Sequence, residues 1–255
     1  MISSAVAFAL LGASIISPSS STSATTLPQV VVCGGFRIHA RHYSSIVDSF
    51  VAAGYSAPIV IEQVDDGETL GESSQRALSV MVGKGAVILI GHSRGGAVAL
   101  RVAFALQERA ISVILLDPVD DRESSTVNLA AVASPSSFLP PRVLVISTPY
   151  AGASAFYHET YQSACAPAGR NGDSFAAALG DRAVHLTMPN TGHLEFLDFR
   201  KDLAVSNLCG PSSKLAPEKT YQLDKAVLRL LPVFAQKKDK GALEELKQID
   251  PEIMI

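Results

Sequence analysis

A serine between glycines is the first feature of the sequence that could do chemistry. The motif GHSRG (residues 91–95) matches the pattern G-x-S-x-G, with the apolar run AVILI before it and an alanine-rich stretch after it. A buried strand that turns sharply into a helix at such a serine presents the hydroxyl at the edge of a sheet. A plain tight turn is the alternative. The flanking runs favour Ser93 as a nucleophile, because glycine lets neighbouring backbone come close.

A serine hydroxyl needs a general base, which an acid in turn orients. Three histidines follow Ser93 in the chain. His185 lies within a strand pattern, which indicates a packed side chain, and His158 lies between tyrosines in a long insertion, which is typical of a surface residue. His193 lies in the loop PNTGHLEFLD after the last predicted strand. This position favours His193 as the base.

The candidate acid is Asp117, which ends the apolar run SVILLD and is followed by a proline. The strand predicted at 142–148 has no carboxylate directly after it, and Glu159 is the nearest acid beyond it. Asp120 and Asp121 follow Asp117 in a more solvated turn. A turn or helix-cap role is the alternative for Asp117. Its place at a strand end favours catalysis, because ligands gather at the carboxyl ends of parallel strands.

Acyl transfer also needs two backbone N–H groups aimed at the developing oxyanion. Arg94, directly after the nucleophile, is expected to supply one of them. The segment CGGF (33–36) follows the first predicted strand, and we expect the second N–H to come from Phe36. Glycines in this segment let the backbone approach a substrate.

These residues need a scaffold, and apolar runs that alternate with helical patterns predict one. Such a pattern is typical of a parallel sheet with helices on both faces. Two stretches that follow strands, 131–141 and 150–182, are predicted to be irregular walls of a pocket. The predicted strands are 30–33, 58–61, 86–90, 112–117, 142–148 and 183–188, and the predicted helices are 42–54, 69–82, 97–106 and, as the last helix, 218–234.

Composition limits the class of protein. The chain has 255 residues, of which 47% are hydrophobic, and a formal net charge of −3, which fits a single domain from residue 27 to 255. No basic stripe is present, so nucleic acid is not an expected partner. The three cysteines are not spaced for zinc. We expect Cys33 to be buried. Whether Cys165 and Cys209 form a disulfide stays an open question at the level of sequence.

The first 36 residues contain no charged side chain. An apolar run at 5–16, too short to span a bilayer, precedes a Ser/Thr-rich tract. Residues 1–26 are predicted to be a cleaved targeting segment, and a disordered tail is the alternative. Taken alone, this leader predicts entry into the secretory system.

Several segments resemble the chlorophyllase family, α/β-hydrolases that cleave chlorophyll to chlorophyllide and phytol. The resemblance spans residues 30 to about 210. It implies an α/β-hydrolase fold, a triad of Ser93, Asp117 and His193, and no metal or organic cofactor. The segments that carry it are GGFRIHARHYSSIVDSFVAAGY (34–55), GHSRGG (91–96), LLDPVD (115–120), CAPAGRN (165–171) and GHLEFLD (192–198).

The chain departs from the family pattern at two positions, which leaves the preferred pigment or ester open. Ala97 stands where the family often has lysine, and Gly172 stands where it often has histidine. A generic lipase or acyl-ester hydrolase, and a hydrolase-fold protein that only binds a lipid or pigment, are the alternatives. The resemblance implies a plastid location and allows peripheral membrane contact. The oligomeric state stays open.

Overall fold

The computed structural model describes residues 27–63, 67–81, 83, 85–120, 138–148, 155–157, 160–162, 165–166, 169–198, 215–236 and 240–255. Its strands are β1 (Gln29–Phe36), β2 (Ile59–Gln63), β3 (Val87–His92), β4 (Ala110–Leu116), β5 (Val143–Ser147), β6 (Ala155–Tyr157), β7 (Thr160–Gln162) and β8 (Val184–Thr187). Six of them form a parallel sheet in the order β2-β1-β3-β4-β5-β8. The short strands β6 and β7 pair with each other in antiparallel fashion.

Helices cover both faces of the sheet. They are α1 (Ser44–Ala52), α2 (Leu70–Ser79), α3 (Arg94–Leu106), α4 (Gly172–Leu179), α5 (Pro217–Gln236) and α6 (Lys240–Ile249). Side chains of α1, α5 and α6 join one apolar core, and side chains of α2, α3 and α4 join another. Within the described part of the chain, no helix combines the length and the apolar character that crossing a membrane requires.

Alternate residues of each central strand enter the two cores. In β3, Ile88 and Ile90 join the core with α1, α5 and α6, whereas Leu89 joins the core with α2, α3 and α4. Successive strand side chains point to opposite faces, so a strand buried on both faces is a continuous apolar run in the sequence. The predicted parallel sheet with helices on both faces is confirmed.

Two helices differ from the prediction. The stretch 150–182, predicted to be irregular, contains α4, which buries Phe175 and Leu179. The prediction that 218–234 is the last helix is wrong, because α6 follows it and buries Leu243 and Leu246. Each helix packs an apolar face on a core to which other strands and helices also contribute. The predicted targeting segment, 1–26, lies outside the described residues.

The cysteines differ in their chemical state. Cys33 in β1 is a free and fully buried thiol, as expected, and burial raises its pKa to about 12. Cys165 is disulfide-bonded. Cys209, the partner considered for it, lies outside the described residues.

The first turn of α3 packs directly against β1. A Cβ built on Gly95 would overlap the carbonyl oxygens of Cys33 and Gly34. Backbone thus touches backbone at this position, which brings the end of β1 close to the start of α3. Only glycine allows this approach.

Replacing Gly95 with alanine tests this packing. We expect Gly95→Ala to lower the free energy of unfolding by about 2 kcal/mol or more, because backbone rather than a flexible side chain must move. Gly85→Ala is the matched control, since a Cβ on Gly85 meets nothing within 4 Å. Denaturant unfolding monitored by circular dichroism measures both variants. Equal stability of the two would contradict the close approach.

Candidate active site

Ser93 occupies the sharp turn between β3 and α3. Its backbone has φ 54° and ψ −130°, a conformation that costs energy in a residue other than glycine. Hydrogen bonds hold it there: the Ser93 N–H donates to the Leu116 carbonyl at 3.1 Å, and the Ser93 carbonyl accepts from Gly96 and Val119, both at 2.9 Å. The side chain is partly exposed. Ser93 therefore lies at the carboxyl edge of the sheet, as predicted.

Asp117 and His193 form a buried pair at the same edge. The Nδ1 atom of His193 lies 2.5 Å from Oδ2 of Asp117, and the two side chains are 2% and 1% exposed. The Thr148 N–H donates to Oδ1 of Asp117 at 2.9 Å, so each carboxylate oxygen has a partner. This pairing leaves Nε2 of His193 as the nitrogen that could accept a proton.

Neighbouring strands bring the pair together. Asp117 directly follows β4, and its N–H donates to the Ile146 carbonyl of β5 at 2.7 Å. His193 lies in the loop after β8, here called the base loop (residues 188–198), whose first N–H, that of Met188, donates to the Ser147 carbonyl at 2.8 Å. Parallel strands that end at one level thus deliver the carboxylate and the imidazole from opposite sides of β5.

The base loop contacts the turn that carries Ser93. The ring of His92 lies 4.9 Å from the ring of His193, measured between centroids. Its Nε2 donates to the His193 carbonyl oxygen at 2.9 Å. The structure therefore joins Asp117 and His193 by a hydrogen bond and places Ser93 on the adjoining turn.

The predicted oxyanion donors flank Ser93. A Cβ on Gly35 would lie 3.0 Å from Cβ of Ser93, which puts the end of β1 beside Ser93. The Arg37 N–H donates to Gln63 in β2. Phe36 is the last residue of β1 and directly precedes this hydrogen bond. Arg94 begins α3, and the first N–H groups of a helix point out of its end.

The Phe36 ring lies at the surface next to these donors. It is 43% exposed. The guanidinium carbons of Arg37 and Arg94 lie 5.3 and 6.0 Å from its centroid, and Arg94 also donates to the Glu68 carbonyl. An apolar ring with two cations near it therefore stands at the rim of the candidate site.

His185 has a serine and a carboxylate nearby but in an unsuitable arrangement. Its Nε2 lies 2.7 Å from Oγ of Ser147 and 3.5 Å from Oδ1 of Asp173. A base that activates serine needs one nitrogen for the serine and the other for the acid, whereas here one nitrogen meets both. Burial lowers the pKa of His185, and Asp173 opposes that shift. His185 lies in β8, as the strand pattern indicated, but its side chain is 35% exposed rather than packed.

Of the other candidates, the structure describes only Asp120. Its N–H donates to the Arg170 carbonyl at 2.8 Å. Asp121, His158 and Glu159 lie outside the described residues.

Two buried polar residues next to the site were not singled out in the sequence. Tyr43 is fully buried, and its hydroxyl lies 3.1 Å from Nδ1 of His92. The Gly35 N–H donates to the same hydroxyl at 2.6 Å. Both residues lie in segments that carry the family resemblance, and this resemblance is the signal in the sequence that could have identified them.

A separate cavity of 540 Å³ lies between α1, α5 and the base loop. Apolar residues such as Leu116, Met188 and Phe196 line it, and neither Ser93 nor His193 is among its lining residues. As far as the described residues go, no three histidine, cysteine, aspartate or glutamate side chains cluster so as to hold a metal ion.

Two solved structures share this architecture. Est1E from Butyrivibrio proteoclasticus is 13% identical, with 85% of this chain and 92% of that chain covered and a TM-score of 0.53. The esterase domain of a Rhodothermus marinus protein is 16% identical, with 84% and 88% covered and a TM-score of 0.52. At these identities the likeness concerns the fold alone, and it agrees with the predicted α/β-hydrolase fold.

Comparison with curated proteins gave no significant match. A family model described as chlorophyllase matches residues 68–252, which include Ser93, Asp117 and His193. The match begins after the resembling segment 34–55 and extends beyond residue 210, where the resemblance in the sequence ended. Because the match covers most of the sequence, the chain belongs to the chlorophyllase family and is a carboxylic-ester hydrolase with the α/β-hydrolase fold.

Proposed function

We propose that this chain hydrolyses the phytyl ester of chlorophyll-type pigments, with Ser93 as nucleophile, His193 as base and Asp117 as the acid that orients it. The observation that carries the proposal is the buried hydrogen bond between Asp117 and His193 beside the turn that holds Ser93. Burying a carboxylate and an imidazole together is costly. A protein that only bound a lipid or pigment would gain nothing from that cost.

In the proposed reaction, the Ser93 hydroxyl attacks the ester carbonyl carbon while Nε2 of His193 takes its proton. Asp117 stabilises the imidazolium through Nδ1. The N–H groups of Phe36 and Arg94 bind the oxyanion of the tetrahedral intermediate. The intermediate collapses, phytol leaves with the proton from His193, and the acyl group stays on Ser93. Water, activated by His193, then releases the chlorophyllide acid and restores the serine.

The substrate class is supported by the family match and by the rim of the site. The exposed ring of Phe36 lies beside the proposed oxyanion donors, where an apolar substrate would meet it. A generic lipase or acyl-ester hydrolase on the same fold is the second candidate. The departures from the family pattern at Ala97 and Gly172 are the reason to test it. The chemistry of the two is the same, so only the substrate distinguishes them.

The purified protein should be incubated with chlorophyll a, pheophytin a and a series of p-nitrophenyl esters, and the products separated by chromatography. We expect the release of phytol and the dephytylated pigment from at least one of the two pigments. Hydrolysis of p-nitrophenyl esters alone would favour the lipase alternative. Pigment binding without hydrolysis of any ester would contradict catalysis.

We expect Ser93→Ala and His193→Ala each to lower kcat by several orders of magnitude, because loss of nucleophile or base removes the covalent route. Circular dichroism should show that both variants keep the wild-type secondary structure. Esterase activity of Ser93→Ala close to that of the wild type would mean that the motif forms only a turn.

Asp117→Asn tests the acid most sharply. The Thr148 N–H would hold the amide oxygen, which turns the amide NH2 toward Nδ1 of His193 and favours the wrong imidazole tautomer. We expect kcat to fall by about 10³- to 10⁴-fold, with a thermal midpoint near that of the wild type.

Control variants for this test are Asp120→Asn, Asp121→Asn and Glu159→Gln, measured with the same ester. Each should stay within a few-fold of the wild type, because none is expected to orient the base. An inactive Glu159→Gln beside an active Asp117→Asn would show that the acid is assigned to the wrong residue.

A further inference from the structure

A chain of buried hydrogen bonds links the three segments that form the candidate site. The Gly35 N–H, in the segment 33–36 that is here called the oxyanion segment, donates to the Tyr43 hydroxyl at 2.6 Å. That hydroxyl lies 3.1 Å from Nδ1 of His92, and Nε2 of His92 donates to the His193 carbonyl at 2.9 Å. Tyr43 and His92 are both fully buried, so water does not compete for these bonds.

The partners dictate the direction of every bond in this chain. The His193 carbonyl oxygen can only accept, so Nε2 of His92 carries the proton. In a neutral imidazole the other nitrogen, Nδ1, then accepts. The Tyr43 hydroxyl must therefore donate to it, and the hydroxyl oxygen is left to accept from Gly35. Reversing one bond would leave a buried group without a partner, which costs more than an average hydrogen bond contributes.

Burial keeps His92 in the neutral form that this order requires. It lowers the pKa of His92 to about 3, with the nearby His193 contributing in the same direction. The rings of Tyr43 and Phe196 contact the His92 ring edge-on, with centroids 6.0 and 6.3 Å away. The imidazole is therefore held in both its tautomer and its orientation.

The far end of the base loop is attached to the same part of the chain. Asp198 accepts from the Ser44 hydroxyl at 2.7 Å and from the Ser45 N–H at 2.8 Å, and its own N–H donates to the His42 carbonyl at 2.9 Å. Residues 42–45 thus hold the base loop at Asp198 directly and at His193 through His92. The same residues hold the oxyanion segment through Tyr43.

We propose that Tyr43 and His92 are positioning residues, which fix the backbone of His193 and of the oxyanion segment relative to Ser93 through this ordered chain. The inference rests on the proposed function of Ser93 and His193. Neither residue touches the substrate in this proposal. Their effect is on geometry, and a small displacement of a catalytic group can cost about 100-fold in rate.

Tyr43→Phe removes one hydroxyl from the chain, and Tyr55→Phe is the matched control. Tyr55 is also buried in the same apolar core, where its ring packs edge-on against Phe50 at 5.3 Å. With a p-nitrophenyl ester, we expect Tyr43→Phe to lower kcat roughly 10- to 100-fold with KM near the wild-type value. Tyr55→Phe should keep the wild-type kcat.

A pair of substitutions at His92 tests the order of donor and acceptor. The glutamine side chain keeps one donor and one acceptor at a spacing close to that of the imidazole nitrogens, whereas leucine has neither. We expect His92→Leu to lower kcat as Tyr43→Phe does and His92→Gln to recover most of the loss. In the double variant of Tyr43→Phe and His92→Leu, kcat should be no lower than in the less active of the two single variants, because the effects of coupled residues are not additive.

Three results would overturn the proposal: a wild-type kcat in His92→Leu, equal losses in His92→Gln and His92→Leu, or fully additive losses in the double variant. If Tyr43→Phe does not fold, the His92 pair decides alone. Ser93→Ala separates this proposal from the one on which it rests. An active Ser93→Ala refutes the proposed function, whereas an inactive Ser93→Ala beside an unaffected His92→Leu refutes only the positioning role.

Discussion

The carboxylate of Asp117 is only 1% exposed, and its burial constrains the whole carboxyl edge of this sheet. Asp117 must find a partner for each of its oxygens, because an unpaired buried charge is far too costly. The Thr148 N–H and the His193 ring supply these partners. Thr148 directly follows β5 and His193 lies in the loop after β8, so β4, β5 and β8 must end at one level. The register of β4, β5 and β8 meets this requirement.

The turn at Ser93 depends on that edge. Its positive φ is unfavourable for serine, and backbone hydrogen bonds to Leu116, Gly96 and Val119 hold it in place. Leu116 and Val119 lie on either side of Asp117 in the sequence, so Ser93 and Asp117 share one support. The contact of Gly95 with β1 then sets how close the oxyanion segment comes to Ser93.

Much of this arrangement could be predicted from the sequence because its causes are local. Strands buried on both faces are continuous apolar runs, and a polar residue at the end of such a run, as Asp117 is, lies at the edge of the sheet. Helices α4 and α6 were missed because their short apolar faces have meaning only against a core formed by distant segments. The roles of Tyr43 and His92 were missed for a similar reason. Tyr43 is 49 residues from its partner His92, and His92 is 101 residues from its partner His193. Spacing in the sequence carries no information on such pairs.

Covalent labelling tests most directly whether Ser93 is a nucleophile that His193 activates. A fluorophosphonate reacts with a serine only where a base and an oxyanion site activate it, and peptide mapping by mass spectrometry locates the adduct. We predict one adduct, on Ser93, that forms in the wild-type protein and is lost in His193→Ala. An adduct on another residue, or equally fast labelling of Ser93 without His193, would contradict this mechanism.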